Sequence, residues 1–201
     1  MKASRMETNL QTLLEEIREL EKSVIEQLKK KENDIIFSIK NRTVTFQKEV
    51  AEKHKAFRKS ISRSLIEAPV IFYAIAPIIY AMIIPAVILD VFMSFYQMIC
   101  FPVFGIQKVV RQEYISLDRH KLKYLNWIEK INCDYCSYFN GVIAYVREIA
   151  SRSEQYFCPI RHALRTKGLL PRYANFAPYG DAAAYQKRLA ELRKEICEKK
   201  S

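Results

Sequence analysis

Glycine is nearly missing from this sequence: there are four in 201 residues, at Gly105, Gly141, Gly168 and Gly180. Dispersed in this way, they cannot build a glycine-rich phosphate loop or a dinucleotide fingerprint, and GxSxG and HExxH are absent as well. The common soluble enzyme classes are therefore poor candidates. Charge is the second thing lacking. Between Ala68 and Ile106 the only formally charged residue is Asp90, and the 21 residues from Pro69 to Leu89 carry none. At 1.5 Å per residue such a run crosses a hydrocarbon core of about 30 Å. A membrane protein is expected.

The flanks are the opposite of the block. The whole chain carries +11 and its mean hydropathy is only −0.14, because charged ends dilute the apolar middle. Residues 1–67 have a net charge of +4 and residues 107–201 a net charge of +8. Cationic side chains beside an apolar segment sit against anionic headgroups, at about 1 kcal/mol each. Lys108, Arg111, Arg119, Lys121 and Lys123 are the expected surface contacts. Nucleic acid is not expected as a partner, since the aromatics are not interleaved with a basic strand face. The first 60 residues are charged and helix-prone, so no secretory signal is expected and insertion would use the block itself.

Three segments follow, and the expected class is an all-α membrane protein. Residues 1–67 read as a long charged helix, partly coiled coil. Leu10, Leu13, Ile17, Leu20 and Val24 step by threes and fours, the seam of a self-associating or partner-binding helix. A solvated amphipathic helix fits the same spacing. Residues 68–106 form the membrane anchor, with Pro69, Pro77 and Pro85 recurring every eight residues. Each proline removes a donor and bends a helix, so a proline-bent single span, a helical hairpin and a re-entrant pair all fit. Positive charge marks the cytoplasmic side, and Lys53, Lys55, Arg58, Lys59 and Arg63 before the block balance the five cations after it. That tie favours a hairpin or re-entrant anchor with both termini cytoplasmic. Asp90 would then be hydrated at the tip or the interface.

Residues 107–201 read as a basic helical domain. It comprises a connector at 108–123, helix from about 122 to 157 with a possible break at Asn140-Gly141, and a last helix capped by Asp181 and reaching Cys197. This domain holds Cys133-x2-Cys136 and Cys158-x3-His162. Three thiolates and one imidazole make a closed tetrahedral set for a structural zinc, with iron or an iron–sulfur cluster as the alternative. Bringing the pairs together requires a helical hairpin at Asn140-Gly141 and a break near Pro159. Burial as ordinary core thiols, or redox chemistry at the CxxC, fit the same residues. His120 is a rival fourth ligand. Glu129, Glu148 and Glu154 are not joined by any Glu-x-x-His pair, so a di-iron carboxylate site is not expected.

Residues 88–163, through LDVFMSFYQMICFPVFGI, NCDYCSYFNG and EQYFCPIRHA, resemble a family of small uncharacterised bacterial membrane proteins. The resemblance implies that the apolar block and the Cys/His segment form one unit, and it carries no catalytic residues across. The expectation is a scaffold or adaptor anchored in a bacterial inner membrane. It would contact anionic lipid, oligomerise or bind a protein through its N-terminal helix, and hold a metal in its cytoplasmic domain. A membrane-bound enzyme acting on a lipid or lipid-linked substrate is the alternative, although no catalytic constellation is recognisable.

Overall fold

The computed structural model describes residues 60–164 and 172–197, most of 12–27, the strand segments 37–40 and 43–46, and isolated positions between 52 and 58. The chain divides into two compact units, residues 1–58 and 59–201. The protein is mostly helical, but not throughout. In the first unit, the described residues between 12 and 27 are helical and display Leu13, Ile17, Leu20 and Val24 to solvent. Leu10 lies outside the described residues. The long N-terminal helix does not run on to the membrane block. Strand β1 (Phe37–Lys40) pairs antiparallel with β2 (Thr43–Phe46), Phe37 opposite Phe46 and Lys40 opposite Thr43. The segment FSIK-NR-TVTF has period-two alternation and β-branched residues, and these outweigh the long helix expected over residues 1–67.

The second unit begins with α1 (Ile61–Glu67), stopped by Ala68-Pro69, since the residue before proline is driven out of the helical region. Helices α2 (Val70–Ala81) and α3 (Ile83–Phe104) follow as a single apolar run of 35 residues. It is long and apolar enough to cross a membrane by length and composition. The hairpin and re-entrant alternatives are overturned here. Met82, at the junction, keeps right-handed helical angles (φ −64°, ψ −13°), so the chain does not turn back. The irregularity has a local cause: Pro85 cannot donate to the carbonyl of Ala81, and its ring crowds it. Helix α3 ends at Gly105, whose φ of 69° suits only glycine. The Gly105 and Ile106 N–H groups close the last turn onto Pro102 O at 3.2 Å and Phe101 O at 2.8 Å.

A connector with two short 3-10 turns, at Arg111–Glu113 and Arg119–Lys121, leads to α4 (Trp127–Phe157). Asn126 caps α4 in a reciprocal box: its side chain accepts from Glu129 N at 3.0 Å while its own N–H reaches Glu129 Oε2 at 2.8 Å. Helix α4 is unbroken for 31 residues, so Asn140-Gly141 is not a bend. Gly141 is instead a contact point. A Cβ there would stand 2.8 Å from the Tyr114 carbonyl oxygen and 3.0 Å from Ile115 Cα, so only glycine lets the connector lie this close. Helix α5 (Ala182–Cys197) starts where Asp181 accepts from Ala184 N at 2.8 Å, the cap expected from its sequence.

Helices α3 and α4 run parallel. Tyr135 meets the end of α2 at Ile79 O, Tyr138 meets Asp90, Ser153 meets Tyr96, and Tyr156 and Phe157 pack on Phe104. A parallel pair needs a return path, and the connector supplies it. The core gathers Phe101, Ile106 and Val109 with Tyr145 and Ile149 of α4 and Ile196 of α5. Each such side chain, fully buried, contributes about 1.5–3 kcal/mol.

Candidate functional site

Along α3 the residues turned toward the protein are Ala86, Asp90, Ser94, Gln97 and Phe101, a stripe at helical spacing. Every polar residue of α3 is on that stripe. The opposite face is apolar and bare, with Val91 60%, Phe92 69%, Phe95 57% and Val103 74% exposed. Helix α2 buries no residue at all. A water-soluble surface helix has the reverse arrangement, polar out and apolar in.

The polar stripe is tied into one network. Arg111 grips Asp90 with two nitrogens: Nε donates to Oδ1 at 3.0 Å and to Oδ2 at 3.2 Å, and Nη2 donates to Oδ2 at 2.5 Å. The Tyr138 hydroxyl donates to Asp90 Oδ2 at 2.9 Å. Gln97 reads the connector backbone, accepting from Val109 N at 2.9 Å and donating to Val109 O at 3.3 Å. Its amide also donates to the Tyr145 hydroxyl. That leaves the Tyr145 hydrogen free for Ser94 at 3.1 Å, and the Ser94 hydrogen free for Asp90 Oδ1 at 3.5 Å. Burial pushes the Tyr138 phenol above its ordinary value, and the carboxylate it donates to pushes it further. Asp90 is fully engaged by donors, so the network holds charge in place and offers no base.

Beyond Gly141, an open groove of about 550 Å³ lies between the connector and α4. Ser116, Asp118 and Arg119 line it from the connector, Cys136, Ser137 and Asn140 from α4. His120 Nδ1, on the same connector, lies 3.5 Å from Asp134 Oδ1 of α4.

A second polar cluster ties α4 to its neighbours. Arg152 Nε donates to Glu148 Oε1 at 2.8 Å, and Arg172 Nη2 donates to the same oxygen at 3.0 Å. Burial alone would raise the Glu148 carboxyl, but the two guanidinium groups outweigh it and hold it below the ordinary value of 4.5. Glu148 is thus a junction residue and not part of a solvated face. Glu154 goes the other way, raised by burial against a partial opposing pull from His162.

The expected metal ligands are not brought together. Cys133 and Cys136 lie in the first third of α4, while Cys158 caps its far end. Twenty-five residues of continuous helix separate Cys133 from Cys158, about 37 Å by rise alone. His162 stacks on Tyr173 with ring centres 6.1 Å apart, and its backbone N–H donates to the Tyr173 hydroxyl at 2.5 Å. Among the described residues no three His, Cys, Asp or Glu are grouped to hold a metal ion. The set Cys133, Cys136, Cys158 and His162 therefore fails as one site, for zinc and for iron alike, because the helix it needed to fold back stays straight through Asn140-Gly141.

Of the expected headgroup contacts, Arg111 is committed to Asp90, whereas Lys108, Arg119 and Lys123 are exposed and Lys121 is half-buried. Sequence reasoning missed Asp90 as an anchored residue. The signal was present: Asp90, Ser94 and Gln97 fall at i, i+4 and i+7, one face of the apolar block. Comparison of the chain with protein-family models, curated proteins and solved structures finds no match.

Proposed function

We propose that the protein is a membrane-surface adaptor, anchored in one leaflet by α2 and the outer face of α3. The observation that carries this reading is the inversion of α3: Asp90, Ser94 and Gln97 point into the protein, while Val91, Phe92, Phe95 and Val103 stand bare on the outside. Lipid is the surrounding that makes such a surface favourable, because charged residues in membrane segments face the protein interior and pair there.

A half-depth anchor fits better than a full span. From Ile79 onward the apolar helix is accompanied by α4, which carries Glu129, Lys130, Asp134 and Arg147. Val70 to Ile78 precedes the Ile79 contact with Tyr135 and buries no residue, about 14 Å of helix, close to half of a hydrocarbon core of about 30 Å. Pro77 and Pro85 let this end dip while α3 lies along the interface. The chain before Val70 must then turn back to the same surface, as α1 begins to do where the Tyr73 hydroxyl donates to Leu65 O at 2.6 Å, and on this reading the equal positive charge before and after the block lies on one side. An anionic cytoplasmic leaflet suits the net charge of +11. The assignment to a bacterial inner membrane rests on the resemblance of residues 88–163. The exposed Leu13, Ile17, Leu20 and Val24 stripe supplies the adaptor's second contact, with another copy or a partner helix.

The test is flotation with sealed anionic vesicles, followed by trypsin. Wild-type protein should float, and trypsin added outside should cut both flanks. A Val91→Lys/Phe92→Lys variant should stay at the bottom of the gradient. A soluble dimer that ignores vesicles would overturn the reading and give the bare face to a second copy. Protection of one flank alone would restore a full span.

A further inference from the structure

We infer that the cavity between the connector and α4 binds a phosphorylated amino alcohol, the zwitterionic chemistry of an ethanolamine phosphodiester. Three features point there. The first is its lining: at about 550 Å³ it has room for a small polar molecule, and it presents Ser116, Ser137 and Asn140 as hydrogen-bonding groups. The second is charge. Asp118 and Arg119 bring one charge of each sign to the same cavity, and neither side chain has a hydrogen-bond or ion-pair partner among the described residues. Ser116 and Ser137 are likewise unpartnered there. The third is rigidity. Gly141 holds the Tyr114 and Ile115 backbone against α4 and Tyr114 packs on Tyr145, so the base of the connector wall is in place before any ligand arrives.

The roles follow from donor geometry. Arg119 and the two serine hydroxyls would take the phosphate oxygens, since a guanidinium presents several N–H groups to an oxyanion. Asp118 would accept from the ammonium. A quaternary choline has no N–H to give, so the site should prefer ethanolamine. The ligand could come from a bilayer headgroup or from a free phosphodiester. Only the headgroup source rests on the membrane-anchor reading.

Cys136 gives a direct readout, because it lines the cavity and is exposed, while the exposed Cys158 lies outside it. The full chain is held in an uncharged detergent and its alkylation by N-ethylmaleimide is followed site by site. Glycerophosphoethanolamine should slow Cys136 and leave Cys158 unchanged, with glycerophosphocholine much less effective. Arg119→Gln should weaken this protection about tenfold, as expected for one lost charge-assisted contact. Asp118→Asn should abolish the preference for ethanolamine over choline. The half-buried Cys100 and Cys197 report folding, since they stay slow only in a folded variant. Calorimetry on the wild type decides without any variant: one site per chain supports the inference, and no heat at millimolar ligand overturns it. An unchanged Cys136 rate also overturns it. Protection by phosphatidylethanolamine vesicles but not by phosphatidylcholine vesicles identifies a headgroup, and protection by the soluble compound alone identifies a free ligand. Vesicles that fail to float the protein defeat the anchor and leave the soluble arm to decide the cavity.

Discussion

Arg111 and Asp90 meet across 21 residues of chain, Nη2 to Oδ2 at 2.5 Å, and they are unequally sheltered: the Arg111 side chain is 44% exposed and that of Asp90 only 9%. The two halves of the pair should therefore not be equivalent. Removing Arg111 strands a carboxylate under α4, while removing Asp90 frees a guanidinium that can turn to water.

Arg111→Gln should cost about 2 kcal/mol, less than a fully buried pair because the arginine is partly solvated. Asp90→Asn should cost about 1 kcal/mol, since Tyr138 and Ser94 can still bond an amide. Denaturant unfolding in micelles measures both. Equal losses, or the reverse order, would mean that the pair is not the lock the geometry describes.

Gly141→Ala tests the clamp between connector and helix. In an isolated helix the change would help by about 1 kcal/mol. Here the new methyl group meets a backbone oxygen at 2.8 Å, and backbone cannot swing aside as a side-chain tip can. A net loss of about 1–3 kcal/mol is expected, the usual cost of overpacking. A stabilised variant would show that the connector moves freely.

What the sequence discloses and what it hides have physical causes. The apolar block and the Asp181 cap were legible, because each is written in residues that are consecutive or within one turn of each other. Asn140-Gly141 misled because glycine has two uses. It breaks a helix when it takes a positive φ, and it stays in one when a neighbour needs the space of its missing Cβ. Only the tertiary approach of Tyr114 distinguishes them. The proposed metal ligands depended on that supposed bend, so a single misread glycine dispersed the site. The β-hairpin was hidden differently: its two strands are four residues each, too short to stand out inside a charged segment that reads as helix over residues 1–67. Asp90 was visible as a lone charge, but its partner sits on a connector that no local pattern sends back along α3.

Glu148 makes stability depend on acid. Its carboxyl is held low in the folded protein, by Arg152 and Arg172 against the effect of burial, and returns to an ordinary value on unfolding. A depressed folded value means stability that is present above 4.5 and is lost as pH falls through the folded value. Glu148→Gln should thus be less stable than wild type at neutral pH. The gap should close as the buffer is taken below 4.5, because the wild-type carboxyl is then being neutralised too. Thermal unfolding of both proteins over that range gives the answer, and a gap that stays constant with pH would separate Glu148 from the acid response.

The cysteines offer the last test, through independence. If Cys133 and Cys158 shared an ion, replacing either would lose the same metal, and the double variant would be no worse than the single ones. With about 37 Å of helix between them, no ion can touch both. Cys133→Ser and Cys158→Ser should therefore add without coupling, to within about 0.5 kcal/mol. Chelator should leave the unfolding midpoint of the wild type where it was. Cys133 is half-buried on α4 and Cys158 exposed at its end, so the first substitution should be the costlier. A shared, chelator-sensitive loss would require α4 to bend at Gly141, and the Tyr114 carbonyl, packed where a Cβ would otherwise stand, opposes that bend.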